Sequence, residues 1–225
     1  MMDRFVDLGL IDGINYYLAI AVNEEDNDLK AEQFKQIFYI LSIITCIDKE
    51  NANITQQLIG KDEESILSKI FNICRDIQKN QFNDIQLNAL LSILYNLSTV
   101  DKETALLHLI KLGLIEACCH LLLPYKHNEN YIMEILQILE NIVNTSKRNE
   151  INQEINEEMN YKLIQGVCGK CGIDIINDVL EDHKGNTQIE VIGHKLREII
   201  LGKDQNDNII KPQEMDQLNE IQQII

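Results

Sequence analysis

Apolar residues recur along this chain in steps of three and four. One stripe is Ile37, Ile40, Leu41, Ile44 and Ile47; a second is Leu87, Leu90, Leu94 and Leu97, with Ile93 beside it; a third is Ile132, Ile135, Leu136, Leu139, Ile142 and Val143. Such steps gather each set on one side of a helix, opposite a polar face, so each helix needs neighbours to cover its stripe. Strand-like alternation of useful length is absent from the sequence. The pattern predicts helices over roughly 10–20, 29–47, 52–59, 63–78, 84–99, 102–112, 114–123, 129–146, 155–166, 173–181 and 187–201. Start signals agree: Asn83-Asp84 precedes the second long helix, and Thr187 with Glu190 predicts a capping box for the last.

A second pattern repeats between the stripes. Leu8-Gly9-Leu10-Ile11 returns as Leu112-Gly113-Leu114-Ile115, with a weaker copy at Leu58-Ile59-Gly60 and a fourth at Val167 to Gly172. Gly9, Gly60, Gly113 and Gly172 stand 51, 53 and 59 residues apart, each ahead of an apolar helix. A glycine there can take positive φ and turn one helix sharply into the next. The unit is a short helix, a glycine turn, a helix, a polar loop and a longer helix. Helix pairs or triplets of about 40–47 residues are the signature of HEAT and armadillo arrays. These units are longer, and the excess lies in polar loops such as 23–28 and 149–160. The expected fold is all-α, an armadillo/HEAT-type solenoid of about three and a half repeats over residues 1–202. Residues 203–225 read as a tail in which Met215, Leu218, Ile221 and Ile225 form a short docking helix.

Composition narrows the function. The 225 residues include only 2 prolines and 10 glycines, which suits helices. The net charge of −16 repels a phosphate backbone, so nucleic acid is not expected as a partner, whereas a basic protein segment is. The sequence lacks a run of 18 apolar residues, so no membrane span is expected. The start, Met1-Met2-Asp3-Arg4-Phe5, has neither the basic opening nor the apolar core of a secretion signal, so a cytoplasmic or nuclear location is expected. Cys46, Cys74, Cys118 and Cys119 fall in helical apolar patterns and are expected to be reduced and buried.

Candidate chemistry is sparse. Cys168-Gly169-Lys170-Cys171 is a C-x-x-C without the second ligand pair that zinc requires, so it reads as a helix-end turn; no metal or cofactor is expected. Cys118, Cys119 and His120 are adjacent on one helix, a placement that does not make a nucleophile and base pair. Gly60-Lys61-Asp62 lacks the flanking residues of a phosphate loop, and the acidic run at 24–28 lacks calcium-loop spacing. Enzyme activity is not expected.

Over residues 85–202 the sequence resembles importin alpha (karyopherin alpha), the armadillo adaptor of nuclear localisation signals. Leu87 to Ser98 is similar to the family's A-x-W-A-L-S-N-L helix, Ile138-Leu139-Glu140-Asn141-Ile142 to its L-E-N-I segment, and Tyr161 to Ile176 to its closing region. The resemblance implies a right-handed superhelix whose long helices line a concave groove, where Asn side chains bind a peptide backbone and Trp rings hold Lys stems. On that reading the groove residues are Ser42, Cys46, Ser92, Asn96, Gln137 and Asn141. Asn96 and Asn141 match the Asn column, Cys46 stands where the first Asn would be, and Ser42, Ser92 and Gln137 occupy the Trp column. Two function classes follow. One is a non-catalytic adaptor or scaffold that binds a peptide segment or karyopherin-type factor in this groove. The other is a permanent structural subunit packed against neighbouring subunits of a larger assembly.

Overall fold

A computed structural model describes residues 9–47, 53–60, 65–76, 82–100, 103–147 and 172–200. Among the described residues ten helices run in chain order: α1 Leu10–Asn23, α2 Asn27–Ile47, α3 Asn53–Ile59, α4 Ile66–Arg75, α5 Asp84–Ser98, α6 Glu103–Leu112, α7 Leu114–Tyr125, α8 Glu129–Lys147, α9 Gly172–Asp182 and α10 Thr187–Ile200. Among the described residues there is no strand, as the sequence predicts. The predicted helix at 155–166 and the tail at 203–225 lie outside the described residues, as do Cys168 and Cys171.

The long helices form one packed series, in which α2 packs on α5, α5 on α8 and α8 on α10. A second series runs beside it through α1, α4, α7 and α9, and α3 packs on α6. The first series keeps strict register. Phe34, Leu87, Ile132 and Ile189 are equivalent, as are Leu41, Leu94, Leu139 and Leu196, and all eight are buried. The second series does the same with Leu18, Phe71, Cys119 and Ile176, and with Ala21, Cys74, Leu122 and Val179. One side chain per helix at each level gives a continuous apolar core between the two series.

This register corrects the first stripe. On α2 the buried set is Phe34, Ile37, Phe38, Leu41, Ile44 and Thr45, while Ile40 and Ile47 are exposed. The rings of Phe34 and Phe38 stack at 5.5 Å, with Phe82 edge-on to both. The aromatic pair shifts the buried face of α2 away from the run of isoleucines.

Each long helix starts on an Asx side chain that accepts from backbone N–H groups left open at a helix start. Asp26 caps α2, Asn83 caps α5 with Gln86 closing a capping box, and Asn128 caps α8. For α10 the cap is Asn186, not Thr187: its Oδ1 accepts from the Gln188 and Ile189 N–H groups, and Glu190 accepts from the Gly185 N–H.

Gly9, Gly60 and Gly113 have φ of 84°, 63° and 114°, as their spacing predicts. The fourth spaced glycine, Gly172, is the first residue of α9; the turn ahead of α10 uses Gly185, φ 98°. At Gly113 the helix axis bends by 50° between α6 and α7, and the Arg75 guanidinium occupies the space a Cβ would fill. Gly193 holds the α10 position equivalent to Leu91 and Leu136, and its missing side chain admits Leu180 of α9. Among the described residues no single helix is long and apolar enough to cross a membrane.

Candidate protein-binding face

The six residues expected to line a groove all lie on α2, α5 and α8, which pack in sequence. Their side chains are not equivalent. Ser92 and Gln137 are exposed and in register with one another. Asn96 is buried, and its Nδ2 donates to the Ser42 carbonyl at 3.0 Å and to Thr45 Oγ1 at 3.2 Å. Asn141 repeats the contact one step along, donating from Nδ2 to Ser98 Oγ at 3.3 Å. Thr45 and Ser98 are themselves equivalent, and each hydroxyl donates to its own helix, to Leu41 O and Tyr95 O respectively. The two asparagines thus clasp each long helix to the one before it. An Asn Nδ2 in this position satisfies a neighbouring helix before it meets any ligand.

On α2 the structure moves the column by three residues. The positions in register with Ser92/Gln137 and with Asn96/Asn141 are Tyr39 and Ile43, both exposed, rather than Ser42 and Cys46. Ser42 is half-buried, donates its hydroxyl to Tyr39 O and offers its carbonyl to Asn96. Cys46 is exposed, against the expectation that it is buried. The signal that finds Tyr39 is the pair Phe34 and Phe38: aligning those two with Leu87 and Leu91 sets the register, whereas aligning isoleucines alone does not. On α10 the same column holds exposed His194.

Other bonds across the series follow the same backward direction. Gln86 Nε2 donates to Ala31 O, and its counterpart Tyr131 donates its hydroxyl to Asp84 Oδ1 at 2.8 Å, the two acceptor residues being in register. Burial and then this bond push the Tyr131 hydroxyl up to about 12. At the last step Lys195 Nζ reaches Glu140 at 2.7 Å and Asn144 at 3.3 Å. Beyond the series, Lys126 pairs with Asp182 at 2.9 Å, which lowers the Asp182 carboxyl, and buried His183 donates from Nε2 to the Lys126 carbonyl.

The second series holds three thiols in its apolar core. Burial pushes the Cys74 and Cys119 thiols up to about 12, and Cys118 well above its ordinary value. These thiols stay protonated at neutral pH and carry no nucleophilic thiolate. His120 is lowered by burial and by the nearby Arg75. Among the described residues, three or more His, Cys, Asp or Glu side chains nowhere gather closely enough to hold a metal ion.

What remains for a ligand is the exposed column Tyr39, Ser92, Gln137 and His194, one side chain per long helix. Packed helices stand about 8–10 Å apart, so an extended chain rising about 3.3 Å per residue meets one of these positions at every third residue. No protein family, no curated protein and no solved structure matches this chain.

Proposed function

We propose that this chain is a non-catalytic, armadillo-type solenoid that binds a protein segment along the exposed edge of its long helices, as an importin-alpha-like adaptor or scaffold. The observation that carries the reading is the in-register column Tyr39, Ser92, Gln137 and His194, held at helix spacing by the Asn96 and Asn141 clasps. In this reading the asparagines set the spacing, and the column makes the contact. The net charge of −16 favours a basic segment over an acidic one.

Panning a displayed library of random peptides on the immobilised chain tests the proposal. Peptides rich in Lys and Arg are expected, binding the wild type at least tenfold more tightly than Ser92→Arg or Gln137→Arg. If no peptide is enriched, or if both variants bind the selected peptides as the wild type does, the edge is not a binding site.

One observation favours a second reading, as a subunit of a larger assembly: the α1–α2 end of the packed series is apolar and uncovered. Co-purification from native source at fixed stoichiometry with a single large complex separates that reading from the adaptor.

A further inference from the structure

The register exposes an unequal pair of ends. Lys126 at the end of α7 reaches forward to Asp182 of α9, whereas the donors inside the packed faces reach back toward the preceding helix: Asn96 to α2, Asn141 to α5, Lys195 to α8, and Lys69 of α4 to Asn15 of α1 at 2.8 Å. The positions around these donors therefore form the backward face of each helix. In the interior of the series that face is buried: Ile93 and Ile138 are 0 % exposed, as are Ile70 and Cys118. Their counterparts on the first pair are Ile40, 41 % exposed, and Tyr17, 63 % exposed. The same holds for Ile20 against Ile73 and Leu121, for Ile47 against Val100, and for Ile43 against Asn96. Tyr16, the counterpart of Lys69, completes the patch.

Six apolar side chains thus stand exposed where interior units are covered, and none is charged. The opposite end differs. Arg197 of α10, in register with the Glu140 that accepts from Lys195, is exposed there with its charge. Head-to-tail stacking of copies would bury that guanidinium against isoleucine, which is costly without a partner. Like end against like end brings together four isoleucines and two tyrosine rings without burying a charge, and two-fold dimers use such self-complementary patches. With six large side chains, three on each helix and each about half exposed, the patch is on the order of 600 Å², close to the ~800 Å² per partner of a standard interface. We propose that two copies of this chain dimerise through the α1–α2 end. A dimer of this kind leaves Ser92 and Gln137 free, so it stands apart from the binding-edge reading.

The test is the mass of the full chain in solution at micromolar concentration, by light scattering after size exclusion. A mass about twice the 26.0 kDa of one chain is expected. Ile43→Asp and Ile40→Asp are each expected to halve that mass with an unchanged helical circular dichroism spectrum, while Val191→Asp on α10 leaves it unchanged. A wild-type monomer overturns the proposal, and so does a dimer that survives both aspartates. A monomer whose segment 203–225 becomes protease-sensitive only on Ile43→Asp also overturns it, because the chain's own tail then covers the face. Peptide binding by Ser92→Arg reads the other site, so failure of one reading is not failure of both.

Discussion

The two packed series solve the same problem with different chemistry. Between the long helices, contacts are ruled by polar bonds of fixed direction: Gln86 to Ala31, Tyr131 to Asp84, Asn96 to Thr45, Asn141 to Ser98. Between α1, α4, α7 and α9, the levels are filled by Phe71, Cys74, Cys118, Cys119 and Leu122, all buried. Apolar packing stabilises in proportion to buried area but sets register only through shape. A hydrogen bond contributes less net energy, yet leaving a buried donor or acceptor unpaired is costly, so a slip of one turn is penalised. The long helices, which carry the exposed column, are bonded in this way at each step from α2 to α10, while the second series sets Lys69 to Asn15 and Lys126 to Asp182 beside its apolar levels. The second series supplies bulk.

That contrast is broken most severely by emptying the second series. Phe71→Ala is expected to cost about 3–5 kcal/mol in urea unfolding, since Phe71 is fully buried at the level of Leu18, Cys119 and Ile176. A loss below about 1 kcal/mol would mean the second series collapses freely around the hole and is not the bulk support described.

Alkaline pH separates the two series by their titrating groups. The thiols of Cys74 and Cys119 rise from 9.0 to about 12, and the Tyr131 hydroxyl rises from 10.0 to about 12. Each folded value lies above the unfolded one, so each contribution is complete below the unfolded value and is lost as pH rises through the folded one. Stability is expected to hold to about pH 9 and then fall toward pH 12. Cys119→Ala removes part of the fall that starts near 9, and Tyr131→Phe removes part of the fall that starts near 10. A slope unaffected by either change places the alkaline transition elsewhere.

The finest cut lies within the long-helix series. Asn96 is buried and bridges two acceptors, while Asn141 is half-buried and meets one. Asn96→Ala is expected to cost about 1–3 kcal/mol and Asn141→Ala about 0.5–1.5 kcal/mol. A double-mutant cycle with Thr45→Ala and Ser98→Ala, respectively, is expected to show coupling in both pairs, larger for Asn96. Equal losses without coupling would reduce the clasps to ordinary helix-surface contacts.

Much of the fold is legible in the sequence because the helices are long and their periodicity is strong. The boundaries of α5, α8 and α10 follow within a residue or two from the three-four spacing and the Asn83 start signal. Register on α2 is not legible from isoleucine spacing. Ile37, Ile40, Leu41, Ile44 and Ile47 make an acceptable stripe, but Phe34 and Phe38 bury more surface and rotate the helix to bring themselves inward. That rotation moves the exposed column from Ser42 and Cys46 to Tyr39 and Ile43. The cap of α10 illustrates a smaller ambiguity: Asn186 and Thr187 are both good caps, and Asn186 with Gly185 ahead of it closes the tighter turn. What the asparagines do could not be read from their identity. Asn96 and Asn141 serve a peptide or a neighbouring helix equally well until Thr45 and Ser98 are known to face them.

Hydrogen–deuterium exchange on the complex with a selected basic peptide locates the bound segment on the helices. Binding along the exposed column predicts protection confined to α2, α5 and α8, centred on the turns that carry Tyr39, Ser92 and Gln137, with α1, α4 and α7 unchanged. Protection that falls on α1, α4 and α7, or that leaves α5 and α8 as they are in the free chain, would contradict it.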